Sequence, residues 1–397
     1  MRTWLDPPSQ ASTYVATPDG DQVRLDDALG AGWTLVSRPG AAGLTPEARE
    51  QWLATGTRAF VDRDDVLGPW MERRGVDVLV LRPDRFVYAA GSADARLPGP
   101  PPVLQPRPPG GLGMTEATLD ARRVPAGDIS LHVTETDPTN TDPARRALVW
   151  LHGSGPGATG MSNFAQNIPA FSGYRNLVFD LPRFGESDKP VLSLERGEFF
   201  APYAASRIAA ALEGLGVERY SVIGNSMGGA TAIKLAADHP DRVEKLVLMA
   251  AAGTAPRGWD GGLPPGLQKI AEWLFNGPSE RLIREFAELQ VHDPSVLTDE
   301  LLEQRLRNAS EPEVVATNPQ SNLLPGDLLD ELPRITAPAL LLWGREDRFI
   351  PLEWALAALR GIPGAQMRVI PFCGHWVQFE HRELFDRVVN DFLEETS

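Results

Sequence analysis

Three kinds of residue in this 397-residue chain stand where they could do chemistry together: a serine, a pair of adjacent acids and a histidine. Ser226 lies in Gly224-Asn225-Ser226-Met227-Gly228-Gly229, the acids Glu346 and Asp347 in Trp343-Gly344-Arg345-Glu346-Asp347-Arg348-Phe349-Ile350-Pro351, and His375 in Cys373-Gly374-His375-Trp376. A serine alcohol is a weak nucleophile near neutral pH. It becomes an effective one when an imidazole takes its proton and a carboxylate orients that imidazole. The Gly-x-Ser-x-Gly spacing separates a β-branched run, Tyr220-Ser221-Val222-Ile223, from a helix-forming run after Gly229. That predicts a strand, a sharp bend exposing the hydroxyl, and a helix. The bland alternative is a solvated serine in a glycine-rich turn, and the partners elsewhere in the chain decide between the two.

Of the six histidines, His239, His292 and His381 sit at helix ends or among charges, His132 lies in an expected strand, and His152 opens a glycine-rich loop. His375, just past the apolar run Met367 to Ile370, is the expected base. On chemistry alone either Glu346 or Asp347 could orient it. The order serine, acid, histidine is that of the α/β-hydrolase fold. An oxyanion at the attacked carbonyl needs two backbone N–H donors. Met227, directly after the serine, supplies one, and the loop His152-Gly153-Ser154-Gly155-Pro156-Gly157-Ala158 should supply the other. That loop also contains Gly153-x-Gly155-x-x-Ala158, with Asp180 at the end of the next strand, which superficially fits a dinucleotide fingerprint. Pro156 and Pro169 argue against it, because a dinucleotide loop opens directly into a helix.

The elements that must hold these residues recur in a strand-then-helix rhythm: Ile129 to Thr134, Ala147 to Leu151, Leu177 to Asp180, Tyr220 to Ile223, Leu246 to Ala250, Ala339 to Leu342 and Met367 to Ile370, with helices such as Ala205 to Leu215, Ala230 to Ala237 and Glu380 to Glu395. Such alternation predicts a mostly parallel sheet covered by helices. Residues 254–332 break the rhythm with amphipathic helical runs only, which reads as a cap over the sheet edge. Upstream, residues 1–92 form a small α/β unit with short strands, a helix over 45–66 and a hairpin pairing Val78 to Leu81 with Phe86 to Ala89. Residues 93–113 hold seven prolines and four glycines, the composition of a semi-rigid linker. Residues 114–397 then form the hydrolase domain.

A charge of −15 argues against nucleic acid. No apolar run approaches the ~20 residues that span a bilayer, and Met1 to Pro8 lacks an apolar signal segment, so a cytoplasmic protein is expected. Cys373 is the only cysteine, which excludes an internal disulfide and a cysteine-built metal site. No metal or other cofactor is expected, and a homo-oligomer is.

Two resemblances sharpen this reading. Asp19 to Gly30, Gly32 to Val36 and Leu79 to Val87 resemble the thioredoxin-like C-terminal domain of flavin-dependent aromatic hydroxylases. No Cys-x-x-Cys is present there, so thiol redox chemistry is excluded, and docking onto a hydroxylase partner is one role the unit could have. Leu151 to Ala158, Ser162-Asn163, Gly224 to Ala230, Trp343 to Pro351 and Cys373 to Trp376 resemble the meta-cleavage product hydrolases, which cleave a carbon–carbon bond in 2-hydroxy-6-oxo-dienoates. The resemblance implies that Asp347 rather than Glu346 pairs with His375, and that the second oxyanion donor is the Ser154 amide. It further implies that Arg305, in Glu300-Leu301-Leu302-Glu303-Gln304-Arg305, binds the carboxylate of an anionic dienoate. Gly155, Asn163, Asn225, Phe349 and Trp376 then line the same pocket. An ester or thioester hydrolase of aromatic metabolism would use the same triad, and a scaffold docked on a hydroxylase is the alternative outside enzymes.

Overall fold

A computed structural model of the chain describes residues 119–137 and 145–395, and before them residues 14–16, 22–24, 34–38, 50, 58–61, 71–72, 76–81 and 87–91. The chain divides into two units, Met1–Met114 and Thr115–Ser397.

In the first unit β1 (Tyr14–Ala16) pairs antiparallel with β2 (Gln22–Arg24). A second sheet runs in the order β4 (Arg58–Val61), β3 (Thr34–Ser37), β5 (Val78–Leu81), β6 (Val87–Gly91). β3 and β4 are parallel, while β5 is antiparallel to both β3 and β6. The hairpin expected at the end of this unit is present, with a register shift between Val80 and Leu81. The helix expected over 45–66 is corrected at Arg58–Val61, which is a strand: pairing of Val36 with Phe60 and Ser37 with Val61 overrides the local helix preference. The linker 93–113 lies outside the described residues.

The second unit is built on one eight-stranded sheet. Its strands are β7 (Leu119–Ala126), β8 (Ile129–Thr136), β9 (Ala147–Leu151), β10 (Arg175–Phe179), β11 (Tyr220–Asn225), β12 (Val243–Met249), β13 (Ala339–Gly344) and β14 (Gln366–Ile370), in the order β14-β13-β12-β11-β9-β10-β8-β7. From β10 to β14 every pair is parallel, and β7 and β8 close the other edge antiparallel. Side chains along a strand alternate between the two faces, so β9 divides its apolar run. Val149 and Leu151 join one core with Val222, Leu246, Leu248 and Leu341, while Leu148 and Trp150 join another with Ile223, Val247, Met249 and Leu342. Both faces are buried, which is why these strands read as continuous apolar runs. Sequence reading missed β7 because Asp120, Arg122, Arg123 and Pro125 fill it; charge and proline are tolerated there because it is an edge strand.

The α-helices of this unit, among the described residues, are α1 (Gly160–Phe164), α2 (Phe200–Gly214), α3 (Met227–Asp238), α4 (Pro265–Asn276), α5 (Glu280–Gln290), α6 (Asp299–Ala309), α7 (Pro312–Thr317), α8 (Leu352–Gly361), α9 (Val377–Glu380) and α10 (Arg382–Glu394). Helices α4 to α7 all fall between β12 and β13 and form the expected cap. Ile283 and Ala287 of α5 pack on Leu302 and Ala309 of α6, giving the cap a small apolar core of its own. Ser279 and Thr298 start α5 and α6 by accepting from the Leu282 and Leu301 N–H groups. No helix among the described residues is long and apolar enough to cross a membrane.

Candidate active site

In a parallel sheet the crevice beyond the carboxyl ends of the strands is the natural binding place, and all three chemistry-bearing residues lie there. Ser226 follows β11 at φ 55° and ψ −113°, in the sparsely populated region a nucleophile bend requires. The glycines permit this bend by close approach. A Cβ on Gly224 would stand 2.4 Å from the Gly228 carbonyl oxygen, and one on Gly228 2.1 Å from that of Leu151. The bend is held by the Ser226 N–H donating to the Met249 carbonyl at 2.8 Å, and by its carbonyl accepting from Ala252 at 2.9 Å. Met227 begins α3, so its N–H is among the first-turn donors that have no intrahelical acceptor.

The two adjacent acids part company. The Asp347 Oδ2 lies 2.9 Å from the His375 Nδ1, while its Oδ1 accepts from the Phe349 and Ile350 N–H groups at 2.7 and 3.0 Å. Glu346 instead braces the loop that carries the histidine. Its carboxylate accepts from the Cys373 N–H at 3.1 Å, and its own N–H donates to the Cys373 carbonyl at 3.0 Å. The His375 ring is buried and stacks on Phe349, with ring centres 4.7 Å apart and planes 25° apart. Asn225, beside the serine, donates through Nδ2 to the His375 carbonyl at 3.4 Å, tying the two loops together.

The loop after β9 lies against the serine: a Cβ on Gly153 would stand 3.2 Å from the Ser226 Cβ. His152 sets this loop. Its Nε2 accepts from the Leu181 N–H at 3.0 Å, so the ring proton is on Nδ1, which donates to the Gly153 carbonyl at 2.7 Å. Fixing that carbonyl in a trans peptide turns the Ser154 N–H the opposite way. The dinucleotide alternative fails here. The loop leads only into the five-residue α1, and the Asp180 carboxylate is occupied by the Gly160 and Glu186 N–H groups and the His132 ring.

Above the histidine loop sits Arg305, on the buried side of α6 at 4% exposure, its guanidinium 4.6 Å over the Trp376 ring. Its Nη1 donates to the Pro156 carbonyl at 3.3 Å, and its Nε and Nη2 have no protein partner. Burial pushes its pKa down to about 9, with no carboxylate beside it to offset the loss of hydration. Gly155 makes the room: a Cβ there would lie 2.7 Å from Phe286 and 3.1 Å from the Arg305 Nη1. Pro156, Phe286, Leu301 and Leu302 join Arg305 and Trp376 around a small cavity of about 10 Å³.

Residues 146–382, more than half of the chain, match the family described as alpha/beta hydrolase fold. Over 276 residues the chain is 37% identical to a 2-hydroxy-6-oxononadienedioate/2-hydroxy-6-oxononatrienedioate hydrolase of a Pseudomonas species, covering 68% of this chain and 94% of the relative. The solved structure of the 2-hydroxy-6-oxo-6-phenylhexa-2,4-dienoate hydrolase from Rhodococcus sp. strain RHA1 superposes with a TM-score of 0.62 at 26% identity, over 70% of this chain and all of that one. The chain belongs to the meta-cleavage product hydrolases of the α/β-hydrolase superfamily. A serine hydrolase from the polyaromatic-hydrocarbon-degrading bacterium Cycloclasticus zankles gives the same TM-score at 30% identity, over 70% of this chain and 98% of that one. In the first unit, residues 56–97 match the HcaD C-terminal domain family.

Of the residues expected in this hydrolase's pocket, Gly155, Phe349, Trp376 and Arg305 meet around the histidine loop. Asn163 instead lines a neighbouring cavity with Leu301 and Gln304, and its Nδ2 donates to the Thr159 carbonyl of its own turn at 2.8 Å. Sequence reading missed three supports. His152 was passed over as a base, although its place directly after a buried strand is the signal for a loop anchor. Glu380 accepts from the Gly374 N–H at 2.7 Å and from the His292 N–H, stapling the histidine loop to the segment that follows α5 in the cap. The Gln290 carbonyl accepts from His375 and Trp376 N–H groups at 2.7 and 3.2 Å.

The buried His152 makes the hydrolase acid-sensitive. Burial lowers its pKa from 6.5 to about 4, so the folded state keeps it neutral where the unfolded chain would protonate it. Its contribution is complete above pH 6.5 and is lost as pH falls towards 4, by up to about 3 kcal/mol. His132 works in the opposite sense: the Asp180 hydrogen bond raises its pKa, so its contribution is lost as pH rises. Urea midpoints should therefore fall more steeply between pH 6.5 and 4 in the wild type than in His152→Gln; equal slopes would show that His152 is not held neutral.

Proposed function

We propose that this chain hydrolyses the carbon–carbon bond beside the 6-keto group of a 2-hydroxy-6-oxo-dienoate, giving a carboxylic acid and a 2-hydroxypenta-2,4-dienoate. The observation that carries this reading is Arg305: a buried guanidinium with two unpartnered nitrogens, on a cavity shared with the neighbour of His375. A buried cation without an anion costs several kcal/mol, so the site is built for a substrate that brings a carboxylate. A neutral ester would leave that cost standing. The names of the relatives point the same way, and so does the net charge of −15, which repels an anion unless a local cation receives it.

The chemistry follows from the positions. Ketonisation of the dienol moves a proton to C5 and turns C2 into a carbonyl. The His375 imidazole then takes the Ser226 proton, Asp347 stabilises the resulting imidazolium, and Oγ bonds to C6. The negative oxygen is received by the N–H groups of Met227 and Ser154, each such donor lowering the barrier by about 3 kcal/mol. Collapse breaks the C5–C6 bond, and its electron pair flows through the C3–C4 double bond to the C2 oxygen, so the leaving group is a stabilised dienolate rather than a bare carbanion. The imidazolium gives its proton to the departing dienolate, and the neutral His375 then deprotonates the water that releases the acid from the serine.

The first unit is proposed as a thioredoxin-like module. Its support is the order β4-β3-β5-β6, with one parallel pair beside an antiparallel hairpin, together with the family match over 56–97. Whether it docks on an aromatic hydroxylase is tested by pull-down with residues 1–113.

The activity is tested by mixing the full chain with 2-hydroxy-6-oxo-6-phenylhexa-2,4-dienoate and with 2-hydroxy-6-oxononadienedioate. The expected result is loss of the yellow dienolate absorbance with one equivalent of carboxylic acid formed. Unchanged absorbance with both, alongside turnover of simple aryl esters, would replace this reading with an esterase.

A further inference from the structure

The cavity beneath the cap holds one more polar group. Gln290, the last residue of α5, is 4% exposed and lines the cavity with Arg305 and Trp376, and its side-chain carbonyl oxygen has no hydrogen-bond partner. The rest of the wall is apolar, from Ile283, Phe286, Ala287, Leu301 and Leu302, apart from the Pro156 backbone. The Trp376 Nε1 and the Arg305 Nε and Nη2 are likewise unpartnered. Three residues that line the same small space thus leave three donors and one acceptor without a partner, and these do not satisfy one another. Buried polar atoms in folded proteins are nearly always paired, so together they describe the complement of a ligand. Donors of that kind suit a carboxylate, and a single acceptor beside them suits a hydroxyl on the adjoining carbon.

We propose that Gln290 is a positioning residue whose side-chain carbonyl accepts the hydrogen bond of the substrate's 2-hydroxyl while Arg305 holds the neighbouring carboxylate. The inference rests on the dienoate reading above and deepens it. Two contacts on adjacent carbons set the rotation of the planar dienol about its carboxylate axis, which a single arginine contact leaves free. They also make the site discriminate against a dienoate lacking the 2-hydroxyl, because that ligand would leave a buried carbonyl unpaired. The Gln290 backbone carbonyl holds the His375 and Trp376 N–H groups, so one residue ties the hydroxy-acid end of the substrate to the loop of the base.

The test uses the full chain with Ser226→Ala, which retains the ligand. Affinities for 2-hydroxy-6-oxo-6-phenylhexa-2,4-dienoate and for 6-oxo-6-phenylhexa-2,4-dienoate are measured with and without Gln290→Met. The 2-hydroxy compound should bind about tenfold more tightly than its deoxy analogue when Gln290 is present, and that preference should vanish in Gln290→Met with the affinity for the analogue unchanged. Gln290→Glu, which keeps an acceptor, should keep the preference while weakening both ligands, and it carries the test if the methionine variant does not fold. A preference equal with and without Gln290 overturns this inference alone. If neither dienoate binds and the wild type turns over neither, the dienoate reading falls with it.

Discussion

Ser226→Ala should leave a folded protein that binds the dienoate and cannot cleave it, with kcat reduced by at least about a thousandfold. The fold should be indifferent to the change, because the elbow is secured through backbone groups. The Ser226 N–H reaches Met249, its carbonyl receives Ala230 and Ala252, and its side chain caps no helix N–H. Alanine meets the same positive φ that serine already tolerates, so denaturant midpoints should agree within about 0.5 kcal/mol. The residual rate should come from the Met227 and Ser154 amides and from substrate placement, which need no nucleophile. Single-turnover absorbance would show the bound dienol persisting. Turnover within tenfold of the wild type would remove Ser226 from the mechanism.

Arg305→Met should separate stability from function, raising one and lowering the other. Replacing an uncompensated buried charge with an apolar side chain of similar length removes a desolvation cost and leaves no unpaired charge behind, only the Pro156 carbonyl without its 3.3 Å donor. Unfolding free energy should rise by roughly 1–4 kcal/mol, the range found when buried ions give way to packed apolar groups. kcat/KM for dienoates should fall by about a hundred- to a thousandfold, the loss of one fully desolvated charge pair with the substrate. Urea denaturation and steady-state assays on the same preparation check both. A destabilised variant with unchanged kcat/KM would make Arg305 a structural residue of the cap. A site that carries strain or unpaired charge for the sake of its ligand is a common cause of such opposition between stability and activity.

Much of this was legible along the chain because the relevant physics is local. The elbow follows from glycine spacing between a β-branched run and a helix, and the order serine, acid, histidine follows from which strand ends carry polar residues. Strands β9, β11, β12 and β13 announce themselves as apolar runs because both their faces are buried. Where the signal was weak, the cause is also physical: β7 is an edge strand and carries charge, and β4 takes its form from pairing with β3 rather than from its own residues.

Residue types and their intervals were enough to specify a serine hydrolase on a parallel sheet with a helical cap. They could not choose between Glu346 and Asp347, which are chemically alike and adjacent. That choice depends on the direction in which the backbone leaves β13, and on the Cys373 N–H occupying one acid while the His375 ring meets the other. Nor could they tell a buried arginine from the many solvated ones in an arginine-rich chain, or expose an unpaired Gln290 carbonyl and a neutral His152. Burial and missing partners are properties of a place where distant segments converge: α5, α6, the loop after β9 and the loop after β14. A spacing along one segment records what its own backbone can do. Whether a polar atom is left without a partner is settled only by everything packed around it.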